Sequence, residues 1–157
     1  MNNITANRNF LSPVGWKLTI DSDKYVNTIF FSTSVGLPSV SCPEVATNFR
    51  NEQGFMPGDH VAYDQLSIKF LVDEDMVNYQ EMLNWIVENS KSAGGKPIMH
   101  DLILSVLTGK NNSNKMVRFH NAFPISLSGF EFSTQIADIE YITCEVGFRY
   151  SHFDFIK

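Results

Sequence analysis

The sequence predicts a mainly β, α+β fold: a two-sheet β-sandwich or open barrel with one flanking α-helix at about 75–91. Three observations carry this. Short runs in which apolar and polar residues alternate recur along the chain, the mark of half-buried strands. The apolar spacing turns helical in one substantial segment only. Thirteen Phe and five Tyr among 157 residues favour a pleated, half-buried surface. Hydrophobic content of 43% and charged content of 18% suit one folded domain spanning 1–157, long enough to bury a core.

Trp16, Leu18 and Ile20 alternate with Lys17, Thr19 and Asp21, a strand. Asn27 to Thr33 forms a second extended run, joined to the first by the polar DSDKY as a hairpin. From Gly36 to Gly58 periodicity disappears, yet this segment carries Val40, Val45, Phe49, Phe55 and Met56. An irregular stretch that apolar is costly to leave in water, so 36–58 is expected to be an extended arm that docks on some other surface. Leu66, Ile68 and Phe70 form the next strand.

The period then changes. Met76, Tyr79, Leu83, Ile86 and Val87 share one helical face, with Asn78, Glu81, Asn84 and Glu88 opposite. Asp73 or Asp75 is placed to cap the helix N-terminus, which makes the acidic run structural in purpose, worth about 1 kcal/mol. Lys91 and Gly94-Gly95 close it. Leu102–Leu107 and Met116–His120 flank GKNNSNK as a hairpin. Ile125 and Leu127 are out of phase with Phe130 and Phe132, which a bulge near Ser128-Gly129 would reconcile. In the last strand Ile142, Cys144, Val146, Phe148 and Tyr150 share a face, and the phase shift at Phe153 and Phe155 predicts a bend across a sheet corner.

Catalytic and metal-binding patterns are missing from the sequence. No GxSxG, GxGxxG or GxxxxGK[ST] occurs, and no two histidines stand at i, i+4. His60, His100, His120 and His152 read as surface or edge residues. Cys42 and Cys144 lack ligand spacing and read as two buried thiols. No cofactor and no enzymatic activity are expected. With net charge −5 and no two adjacent basic residues, the chain is not built to wrap a nucleic-acid backbone, although it could let DNA slide past. Neither a signal-peptide h-region nor a run of 18 apolar residues is present, so membrane insertion is not expected and the default compartment is cytoplasmic.

Four segments together resemble the tail-tube superfamily of contractile phages, which includes tube proteins, baseplate tube-initiator proteins and, more distantly, type VI secretion tube proteins. They are NFLSPVGWKLTI (9–20), FFSTSVGLPSVS (30–41), PGDHVAYDQLSIKFLVDEDMVNYQEMLNWI (57–86) and FHNAFPISLSGFEF…YITCEVGFRYSHFDF (119–155). The resemblance implies a virion structural protein that forms homo-hexameric rings. The rings would stack into the inner tube of a contractile tail and pass DNA through the lumen. Tail sheath and baseplate hub proteins would be its partners, with assembly in the host cytoplasm.

On that reading Val40, Val45, Phe49, Phe55 and Met56 contact the next ring or adjacent subunit, and the 1–10 arm, ending at Phe10, forms a second interface. Glu131, Asp138, Glu140 and Glu145 are lumen-wall candidates. The alternatives are a tube-initiating ring near the baseplate, or a monomeric β-sandwich that binds a small molecule or carbohydrate.

Overall fold

The computed structural model describes residues 11, 13–25, 28–29, 31–92, 94–108, 112–134 and 140–156. Among these residues, eleven strands and one long helix follow in the order β1 (Trp16–Ile20), β2 (Ser32–Gly36), β3 (Val40–Ser41), β4 (Glu44–Asn48), β5 (Gln53–Pro57), β6 (Ala62–Tyr63), β7 (Leu66–Leu71), α1 (Val77–Lys91), β8 (His100–Leu107), β9 (Ser113–Leu127), β10 (Thr143–Arg149) and β11 (Phe153–Ile156). The main sheet runs β1-β8-β9-β10-β7-β2, every pairing antiparallel, with β11 added along β9. It does not close into a barrel.

β9 is long enough to serve two layers. Its first part, through Phe119, lies between β8 and β11, and its last part, Phe123 to Leu127, pairs with β10. The strand turns at Asn121, whose φ of 53° lies in the left-handed region that Asn tolerates better than most residues. The chain after β10 follows this bend: β10 belongs to one layer, β11 to the other. The bend across a sheet corner expected of the last strand is therefore present.

The core fills the space between the layers. Leu18 and Ile20 of β1, Leu102 and Leu104 of β8, and Val117 and Phe119 of β9 meet Leu66, Ile68 and Phe70 of β7 and Cys144, Val146 and Phe148 of β10. α1 adds Met82 and Trp85. Trp85 stacks on Tyr25 with ring centroids 4.2 Å apart, and its Nε1 donates to Ile98 O at 3.0 Å.

Several expectations are corrected. The strand after β1 begins at Ser32 and pairs with β7, while β1 pairs with β8, so the first two strands form no hairpin. The 36–58 segment is not irregular: β4 and β5 form a regular hairpin, flanked by the β3–β6 pair. The buried face of α1 is Asn78, Met82 and Trp85, and Leu83 points outward. The register shift falls between Gly147 and Phe148, opposite Ile125, not at Ser128-Gly129. Phe132 is exposed. Cys42 is exposed; Cys144 is buried, where desolvation raises its thiol pKa.

Asp73 and Asp75 do not cap α1. Met76 occupies the N-cap in a left-handed conformation (φ 55°) with no side-chain cap bond. The role passes to Asn78, which is wholly buried. Its Nδ2 donates to Leu71 O (2.7 Å), while its Oδ1 accepts from Asp73 N (3.2 Å) and Tyr79 N (2.8 Å). One amide thus closes the strand end and satisfies a helix-terminal N–H that would otherwise lack a partner.

Candidate assembly interface

The β4–β5 hairpin has a clamped root and an uncovered body. At the root, Gly58 N donates to Pro43 O at 2.7 Å, and Asp64 N to Ser39 O at 3.1 Å. A Cβ at Gly58 would stand 2.2 Å from Pro43 O, so the two strands converge there only because position 58 is glycine. The end of β10 holds the same region: Arg149 Nη1 donates to Tyr63 O (3.2 Å) and Tyr150 OH to Asp64 O (2.9 Å). Burial, with Tyr63 and Asp64 adding to it, pushes the Tyr150 phenol up to about 12, so it remains a donor. Tyr63 packs edge-on against Tyr150 and Phe153.

Beyond that root, β4 and β5 pair only with each other. Val45 sits opposite Met56, and Phe49 lies on the same face, its ring across Gly54. The other face carries Phe55 opposite Ala46. Val45, Phe49, Phe55 and Met56 are all more than half exposed, and Arg50 at the tip is exposed too. A two-stranded ribbon with apolar side chains bare on both faces is marginal by itself and invites cover from another body. Val40 is also exposed, but on β3 beside the root. Phe10 lies outside the described residues.

Of the proposed lumen acids, Glu131, Glu140 and Glu145 lie among the described residues. Glu145 stands on the outward face of β10, opposite Lys69 of β7, with Nζ–Oε2 at 3.9 Å. Glu131 and Glu140 lie off the strands, in the connection between β9 and β10, and Asp138 is outside the described residues.

Two features escaped the sequence reading. On the outer face of β8, β9 and β11, Arg118 Nε donates to Asp101 Oδ2 (2.9 Å) and Asn121 N to Asp101 Oδ1 (3.0 Å). His120 Nε2 lies 2.9 Å from Asp154 Oδ1, and its ring stacks on His152 at 4.4 Å. Desolvation raises the Asp101 pKa, but the hydrogen bonds from Asn121 and Arg118 and the nearby cations outweigh it, so the net shift is downward. His120 is therefore mid-strand and networked, not at a strand end. The second feature is an apolar groove where β7, the start of α1 and the approach to β10 meet, built around Val72, Phe130, Phe132 and Tyr141. Among the described residues no three His, Cys, Asp or Glu side chains are grouped to hold a metal ion, and no helix is long and apolar enough to cross a membrane.

No protein-family profile and no curated protein matches the sequence. Solved structures do match the fold. A chain in the cryo-EM structure of an extracellular contractile injection system, the PVC sheath/tube terminator in the extended state, superposes with a TM-score of 0.72 at 15% identity, covering 96% of this chain and 100% of that one. The chain has the tail-tube fold. The PVC sheath-tube complex in the extended state contains a second such chain (TM-score 0.67, 15% identity, 92% of this chain and 90% of that one). Hcp1 from Flavobacterium johnsoniae gives 0.55 at 13% identity, covering 93% of this chain and 94% of that one.

Proposed function

We propose that this tail-tube chain is a structural subunit of the inner tube of a contractile tail. Six copies close a ring through their sheet edges, rings stack through the 44–57 hairpin, and the lumen passes DNA. The observation that carries this is the hairpin, bare on both faces on a rigid root in a fold shared with tube proteins. The sheet edges support it. Among the described residues β1 and β2 end the strand path with unpaired outer edges, and an open groove of about 560 Å³ between them is lined by Trp16, Leu18 and Ile29. Ring closure would pair edges that otherwise invite aggregation.

The role is structural, not enzymatic, with sheath and baseplate proteins as partners, assembly in the host cytoplasm and residence in the virion tail. Glu145, Glu131, Glu140 and Asp138 remain the lumen-wall candidates; an acidic wall repels DNA phosphates and lets the duplex pass. Phe10 and the rest of the 1–10 arm join the subunit contacts. A terminating ring at the tube end is the second reading, favoured by the full-length match to a chain from the terminator structure.

Negative-stain electron microscopy of the purified chain over a concentration series tests the proposal, beside a variant in which a short Gly-Ser link replaces 44–57. Pro43 and Gly58 are already hydrogen-bonded, so the link spans a closed gap. Rings that stack in the parent and not in the variant support the reading. Tubes unaffected by losing the hairpin, or a monomer that stays single even on preformed tube ends, would sink it.

A further inference from the structure

The apolar groove lies at the end of β7 and β10 where Leu71 stands opposite Thr143, and the described residues leave it uncovered. It consists of two adjoining depressions of about 390 and 450 Å³, which share Val72 and Tyr141. Phe132 is 73% exposed and Tyr141 78%, a large apolar surface for a small domain. Asp73, Glu74 and Glu140 stand on its rim. The segments that build it, 71–76, 128–134 and 140–142, add Asp75 and Glu131 and contain no Lys or Arg. Such a groove selects an apolar segment that carries positive charge and no carboxylate.

The 44–57 hairpin does not qualify, because Glu44 and Glu52 outweigh Arg50. The segment MNNITANRNF (1–10) does. Its apolar side chains include Ile4 and Phe10, and Arg8 is its one charged side chain. Its attachment point is also close. Pro13, Val14 and Trp16 line the groove between β1 and β2 together with Ser32 and Thr33. Phe31, the residue before Ser32, lines the acid-rimmed groove, and its O accepts from Leu71 N at 3.0 Å. Thr33 and Phe31 are two residues apart, about 7 Å of extended chain. Ten residues reach about 33 Å. Leu11 and Val14, at the base of the segment, are exposed apolar residues themselves.

We propose that residues 1–10 of the free chain fold back over their own acid-rimmed groove, Ile4 and Phe10 toward Phe132 and Tyr141, Arg8 toward the carboxylates. The inference goes beyond the assembly reading, since it concerns the single chain before any ring closes. Tethering to the same domain gives the segment a high effective concentration, so a weak contact is enough to close it. Closed, it hides apolar surface that would otherwise promote indiscriminate association. It becomes available for subunit contacts only when it lets go of the groove.

Intramolecular disulfide trapping tests it. A Cys42→Ser chain carrying Ala6→Cys and Glu140→Cys is oxidised mildly in dilute solution, and the monomeric disulfide is quantified by mass. Thr108→Cys replaces Glu140→Cys as the control. Thr108 lies beside the base of the segment, next to Leu107, whose N donates to Gly15 O at 2.8 Å. A segment without a seat would close on the control position at least as readily. A seated one should close on Glu140→Cys well above the control. Arg8→Glu should slow that closure about threefold, the size an exposed charge pair supports, and Glu74→Lys in the same chain should restore it. Equal closure at the two positions, no response to Arg8→Glu, or a disulfide that forms only between two chains would overturn the proposal. Closure is read on the single chain, so its failure and a failure of ring stacking are separate results.

Discussion

Replacing Phe55 with alanine distinguishes an interface side chain from a core one. Phe55 is 60% exposed. A phenyl side chain presents about 150–250 Å² when bare, so about 90–150 Å² remains to be covered by a partner. At about 25 cal/mol per Å² this is about 2–4 kcal/mol, and alanine retains a fraction of it. The expected loss is about 2 kcal/mol per contact, or about thirtyfold in the concentration at which rings stack. The monomer should hardly notice, since surface substitutions usually stay within about 0.5 kcal/mol. Sedimentation velocity over a concentration series reads the first quantity and thermal unfolding of the dilute monomer the second. A lowered melting temperature with unchanged assembly would refute the reasoning and return Phe55 to its own domain.

The remaining predictions concern the supports of this surface. Gly58→Ala places a methyl group 2.2 Å from Pro43 O and should open the hairpin root; hydrogen exchange at 44–57 is expected to quicken with little change in the core strands. Asn78→Ala removes the partner of Leu71 O, Asp73 N and Tyr79 N, and chemical denaturation should show a loss of about 2–3 kcal/mol. The Asp101 pKa is lowered in the fold from its ordinary 3.8. Its contribution is therefore complete above that value and disappears as pH falls through the lower, folded one. Acid titration of stability should show this loss below about pH 4, and Asp101→Asn should flatten it. The same substitution at neutral pH should cost about 1 kcal/mol, because Arg118 and Asn121 N keep only a neutral acceptor.

Much of the fold was legible because period-two alternation is a local signal. β1, β7, the β8–β9 pair and β10 all lie where Trp16–Ile20, Leu66–Phe70, Leu102–His120 and Ile142–Tyr150 placed them. The misreadings occurred where local pattern competes with distant packing. The apolar positions of α1 fit two overlapping faces, and Tyr25, His100 and Phe148 around Trp85 decided in favour of Asn78, Met82 and Trp85. Asp73 and Asp75 had good capping chemistry, but a buried Asn78 amide satisfied the helix start from inside. The 44–57 hairpin left no alternation to read, because neither of its faces is buried in the chain itself. Its apolar excess was the legible part.

By itself the sequence determined that the chain is a mainly β domain with one helix, and that 36–58 carries more apolar surface than a lone loop can leave in water. Those properties follow from composition and from periodicities of two and 3.6 residues. Strand order, the bend of β9 at Asn121, the partner of β1 and the placing of the hairpin root and the acid-rimmed groove at opposite ends of β7 and β10 were decided only in three dimensions. The reason is physical: alternation states which face a strand buries but not which strand lies beside it, and that choice is made when residues far apart in sequence fill one core.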